Sequence, residues 1–75
     1  MYKVVYKFDY NQTEILQVLE KKQEDWVLLK DQKLLEEIEK KFLKFQGKNL
    51  NSKGYGYVIY TANLSYLTGS FETIT

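Results

Sequence analysis

The sequence contains no cysteine, no histidine, no arginine and no proline, and Ala62 is its single alanine. Without thiol or imidazole groups it can build no disulfide, no zinc finger and no haem or iron–sulfur site on the usual ligands. The same absences exclude a catalytic triad or dyad built on Cys or His. Without arginine it lacks the planar fork that grips phosphate, guanine or carboxylate through two bonds. All eleven basic residues are lysine. Loss of Arg, Pro and Ala with enrichment of Lys, Asn, Tyr and Ile follows AT-rich codon usage, so a low-GC genome is expected, that of a Gram-positive bacterium, an archaeon or one of their phages. No stretch approaches the ~20 apolar residues of a membrane span. The opening MYKVVYKFDY alternates polar and apolar residues where a signal peptide would run apolar. A cytoplasmic location is expected.

What is present suits one small core. The 75 residues are 44% hydrophobic and include seven Tyr, four Phe and one Trp. A chain of this size forms one domain and buries about 60% of its unfolded surface. Eleven lysines against ten acids give a net charge of +1, which argues against a protein made to coat nucleic acid or an anionic membrane.

Tyr2, Val4, Tyr6 and Phe8 alternate with Lys3, Val5 and Lys7, the period of a strand over 2–8. Asn11 followed by Glu14 reads as a capping box, and Ile15, Leu16, Val18 and Leu19 then give an apolar stripe, so a shorter helix is expected to about Glu24. Strand is its rival, because ILQVL also suits a sheet. Residues 25–30 read as a short buried strand at Trp26–Leu29 or as an extension of that helix. A long helix is expected from Gln32 to Gln46, with Asp31 as N-cap, Leu34, Leu35, Ile38, Phe42 and Phe45 on its inner face, and Gly47 past its end. Glu36–Lys40 and Glu37–Lys41 are spaced to pair on its outer face. Lys48–Gly54 reads as a loop and Tyr55–Ala62 as a strand, extendable to Thr68. Gly69-Ser70 fits a hairpin turn into a last strand, Phe71–Thr75. The expected fold is α+β: a small antiparallel or mixed sheet, made of the N-terminal strand and a C-terminal hairpin, with one long and one shorter helix packed on one face.

Catalytic candidates are few. Ser52, Ser65 and Ser70 have no base to activate them, and Glu36, Glu37 and Glu39 fall on the solvated side of the long helix. No calcium-loop or phosphate-loop spacing occurs. No enzyme activity, metal or cofactor is expected.

The segment Lys53-Gly54-Tyr55-Gly56-Tyr57-Val58-Ile59-Tyr60 resembles the ribonucleoprotein octapeptide of RNA-recognition-motif domains, with Tyr57 at its fifth place. By that resemblance Tyr55 and Tyr57 would stack on unpaired bases, Lys53 would meet phosphate, the glycines would admit a base, and Val58 and Tyr60 would be core. The resemblance covers eight residues, and the long helix precedes the motif where the family places a helix after it. Lys3 and Lys7 on the first strand would add to a mildly basic sheet side. The competing expectation is a protein-binding module. Tyrosine favours interfaces because it offers area at low entropy cost, and Tyr55, Tyr57, Ile59 and Tyr66 would form the patch. A sheet edge near the last strand would also admit a homodimer. A protein partner is the first expectation, as for a phage or mobile-element inhibitor of a host defence protein such as an anti-CRISPR; weak RNA or single-stranded DNA binding is the second.

Overall fold

The computed structural model describes residues 1–10, 12–45 and 52–74. Five strands and one helix follow in the order β1 (Tyr2–Asp9), β2 (Gln12–Lys22), β3 (Asp25–Leu28), α1 (Gln32–Phe45), β4 (Lys53–Tyr60) and β5 (Tyr66–Thr73). The strands form one antiparallel sheet in the spatial order β3-β2-β1-β4-β5. α1 leaves the β3 edge, packs on one face, and delivers the chain to β4 on the far side of β1.

This corrects the expected pair of helices: the protein is mostly β, with α1 as the single helix among the described residues. Gln12–Lys22 is the longest strand. Its helix-like spacing has a definite cause, because the register against β1 shifts between Val5 and Tyr6, where Val5 faces Gln17 and Tyr6 faces Ile15. Leu16 is the extra residue of a β-bulge, so the successive inward apolar residues are Ile15 and Val18, three apart. A bulged strand thus imitates one turn of a helix in sequence. The Asn11 cap, the Gly47 helix end and the Lys48–Asn51 part of the loop lie outside the described residues.

The hairpin turn also moves. Gly69 and Ser70 sit inside β5, and the chain reverses at residues 61–65. There Thr61 N–H donates to the Ser65 carbonyl (2.8 Å), Leu64 N–H to the Thr61 carbonyl (2.9 Å) and Ser65 N–H to Thr61 Oγ1 (3.2 Å), with Leu64 at φ 60°. A threonine hydroxyl therefore supplies the turn chemistry that the sequence pattern assigns to Gly69-Ser70.

α1 begins as read, since Leu34 N–H donates to Asp31 Oδ1 (3.3 Å). Ile38 and Phe42 are buried on its inner face and Leu34 and Leu35 half-buried. The ion pairs among the described residues are Lys7–Glu14 and Lys22–Glu20, so the expected Glu36–Lys40 and Glu37–Lys41 pairs are not closed. The core joins α1 to Val4, Val18, Leu29, Val58 and Tyr60, with Phe8 buried at the β1 end. Each fully buried aliphatic side chain there contributes about 1.5–3 kcal/mol.

Gly54 and Gly56 face this core, opposite Phe8 and Tyr6 in the register. A Cβ at Gly56 would lie 2.7 Å from the Tyr6 hydroxyl and 2.8 Å from Phe71 Cβ; one at Gly54 would lie 2.9 Å from Phe8 Cζ and collide with the Glu72 carbonyl. The glycines therefore admit aromatic rings from the neighbouring strand. Gly56→Ala is expected to cost about 1–3 kcal/mol by overpacking, measured by urea denaturation.

Tyr60 is 1% exposed, and its hydroxyl has no hydrogen-bond partner. Burial, and then the nearby Tyr6, push its pKa above the ordinary 10.0; Tyr6 is raised by burial and then by Tyr66. The neutral phenols are thus favoured in the folded state. Their contribution is full below pH 10.0 and lost as pH climbs through the raised folded values. Tyr60→Phe is expected to flatten that alkaline loss. It should leave stability at neutral pH unchanged or higher by about 1 kcal/mol, since it removes an unmatched buried hydroxyl. Urea titrations at neutral and alkaline pH check both.

Candidate functional site

Strand alternation puts the other side chains of β1 and β4 on the sheet face that α1 leaves open. Lys3 lies opposite Ile59, Val5 opposite Tyr57, Lys7 opposite Tyr55 and Asp9 opposite Lys53. The sheet thereby gathers Lys53, Tyr55, Tyr57, Ile59, Lys3 and Lys7 on one surface. Tyr55 is 52% exposed and Tyr57 37%. A shallow groove of about 300 Å³ runs over this surface, lined by Lys3, Val5, Tyr55, Tyr57, Ser70 and Glu72.

Tyr66 does not join them. It faces Tyr60 in the register and lies on the helix side, where it lines a separate groove of about 590 Å³ with Tyr60, Leu64, Lys40, Lys41 and Lys44. The bulge between Ile59 and Tyr60 leaves Leu67 unpaired, and this breaks the simple alternation that would have put Tyr66 on the open face with Thr68.

Trp26 is the residue that the sequence pattern missed. β3 pairs Trp26 with Lys21 and Leu28 with Leu19, and Leu19 in turn faces Lys3. The Lys3 ammonium sits 4.7 Å from the Trp26 ring centre and 5.2 Å from that of Tyr57, with Lys21 5.7 Å from Trp26 on the same strand pair. One cation thus bridges two aromatic rings contributed by opposite sides of β1. The signal for Trp26 was present in the rival strand reading of ILQVL: once 12–22 is a strand, a two-residue turn at 23–24 returns Trp26 beside Lys21.

The charges on this face are mixed. Lys7 Nζ lies 3.1 Å from Glu14 Oε2, Asp9 stands opposite Lys53, and Glu72 opposite Tyr55. Lys3 and Lys21 are engaged by rings. Among the described residues no group of three or more His, Cys, Asp or Glu side chains could hold a metal ion, and no helix is long and apolar enough to cross a membrane.

The octapeptide departs from its resemblance at the glycines. Tyr55 and Tyr57 do share the open face, and Val58 and Tyr60 are core. A Cβ at Gly54 or Gly56 would point the other way, against Phe8 and Tyr6, so their lack of a side chain admits rings of the core.

The two faces should be separable by stability. Tyr60→Ala is expected to cost about 3–5 kcal/mol, as for truncation of a buried aromatic. Tyr55→Ala should change stability by no more than about 0.5 kcal/mol, as for an exposed position. Denaturant midpoints with matched slopes check the contrast. No protein-family model, curated protein or solved structure matches this chain.

Proposed function

We propose that this chain works by binding another protein through the open sheet face, with Tyr55, Tyr57 and Trp26 as its aromatic anchors and Lys3 as the cation between two of them. The observation that carries this reading is the combination of exposed rings with lysines already opposed by carboxylates or rings. Such a surface has an apolar, aromatic centre and a rim of both charge signs, which is the composition of a protein interface. A phosphate backbone laid on it would meet Asp9, Glu14 and Glu72 as well as lysines. With Lys3, Lys21 and Lys53 to neutralise phosphate, single-strand affinity would change about 18-fold for a fourfold change in salt. The ion pair with Glu14 also removes Lys7 as a ready phosphate contact. The chain then acts by occupying a surface of its partner, as a phage or mobile-element inhibitor does, and carries out no chemistry of its own.

Binding to a candidate partner should weaken at least about 30-fold in Tyr57→Ala, the size of a hot-spot loss. It should be unchanged in Lys44→Ala on the helix side, with all three proteins equally folded by circular dichroism. Titration of single-stranded RNA and DNA, followed by Trp26 and Tyr fluorescence at low salt, should give no saturable change. Saturable, salt-weakened quenching lost in Tyr55→Ala and Tyr57→Ala would replace the protein reading with nucleic-acid binding through the KGYGYVIY strand.

A further inference from the structure

The two edges of the sheet differ. β3 offers four residues, Asp25–Leu28, whereas β5 offers eight, Tyr66–Thr73, all of them exposed. Ile74 N–H donates to the Lys53 carbonyl (2.8 Å). Since an antiparallel strand turns alternate residues to each neighbour, Thr68, Ser70 and Glu72 bond to β4, and Gly69, Phe71 and Thr73 point their N–H and C=O groups outward. Among the described residues no backbone hydrogen bond meets those outward groups. Edges are ordinarily blunted by lysine, proline or a bulge. Residues 69–74 contain neither lysine nor proline, and the β5 bulge lies at the other end of the strand, at Leu67.

We propose that this edge pairs with a second copy of the chain, β5 against β5 antiparallel, with the two Phe71 residues facing each other across a two-fold axis. In that register Gly69 of one copy meets Thr73 of the other, so outward groups meet outward groups and each facing pair exchanges both hydrogen bonds. Glu72, the single charge in β5, meets Ser70 of the second copy. A shift of one residue pair toward the C-terminus would set Glu72 against its own image; the opposite shift would run Thr73 into the Leu67 bulge. The register is therefore self-selecting, as a closed two-fold interface requires.

Packing agrees with hydrogen bonding. Phe71 is 58% exposed, and its ring stands edge-on to Phe8 at 5.9 Å. The pairing brings the second Phe71 alongside, giving a row of four rings, Phe8 and Phe71 from each copy, on the helix side of the seam. Because the axis is perpendicular to the sheet, the two open faces lie on the same side, and the dimer presents two docking surfaces side by side. The pairing itself uses only the edge and stands independently of what the open face binds.

Sedimentation equilibrium of the 75-residue chain from micromolar to millimolar concentration tests this. A reversible monomer–dimer equilibrium is expected. Phe71→Leu should keep it. Phe71→Lys, which puts like charges together on the axis, should weaken it at least about tenfold, an effect of 1.4 kcal/mol or more. Thr73→Pro, which deletes an outward N–H while leaving the β4 ladder intact, should do the same and decides the matter if Phe71→Lys fails to fold. A monomer at every concentration, a dimer indifferent to Thr73→Pro, or an assembly growing beyond two copies would overturn the proposal.

Discussion

The structure turns on the stacking of Tyr6 between Gly56 beneath it and Phe42 above it. The ring lies against the glycine backbone of β4, and its centre is 5.0 Å from that of Phe42 on α1. That contact sets the distance between helix and sheet, because a side chain at Gly56 would lift the ring and α1 with it. Phe8 over Gly54 repeats the arrangement one step along the strand. Interiors are packed to crystal-like density, so two missing Cβ atoms are structural parts in their own right. With even-numbered β4 residues committed to the core, period two leaves Lys53, Tyr55, Tyr57 and Ile59 for the open face.

The open face and the open edge follow from one shortage: α1, 14 residues long and the single helix among the described residues, cannot cover a five-stranded sheet. α1 covers the middle strands, where the buried side chains of β1, β2 and β4 lie. The opposite face has no helix over it, and its exposed aromatic residues lie among lysines and carboxylates, with Lys3 between Trp26 and Tyr57. β5 is exposed along its length, and among the described residues the outward N–H and C=O groups of Gly69, Phe71 and Thr73 stay unpaired. A small domain in this state either tolerates exposed apolar area or shares it with a partner. The proposed face and edge are the two places where sharing fits the chemistry of the exposed groups.

Local sequence rules succeeded where a local cause operates and failed where the cause is long-range. Asp31 as N-cap, Leu34, Leu35, Ile38 and Phe42 on the inner face of α1 and the alternation of β1 were legible because capping and periodicity act within a few residues, whereas the side chain expected there at Phe45 lies outside the described residues. β2 was misread because the bulge at Leu16 exists only in the register against β1, and no property of Gln12–Lys22 alone announces it. The turn at 61–65 was missed in favour of Gly69-Ser70 because glycine there answers to packing. A Cβ at Gly69 would come within 2.9 Å of the Tyr57 carbonyl on the paired strand.

Composition and strand period set the chemistry at hand. They excluded thiol, imidazole and guanidinium, supplied lysines and tyrosines for the site, and put Tyr55 and Tyr57 on one side of a strand with Val58 and Tyr60 in the core. What those residues stand beside was settled by the pairing of the folded strands. It brought Trp26 to Lys3 across β2, separated Tyr66 from Tyr55 and Tyr57 through a bulge, turned the glycines of the octapeptide toward Phe8 and Tyr6, and left β5 at the edge. The reason is that strand order and register are settled by which pairings bury the most apolar surface together, a property of the whole chain that no short window contains.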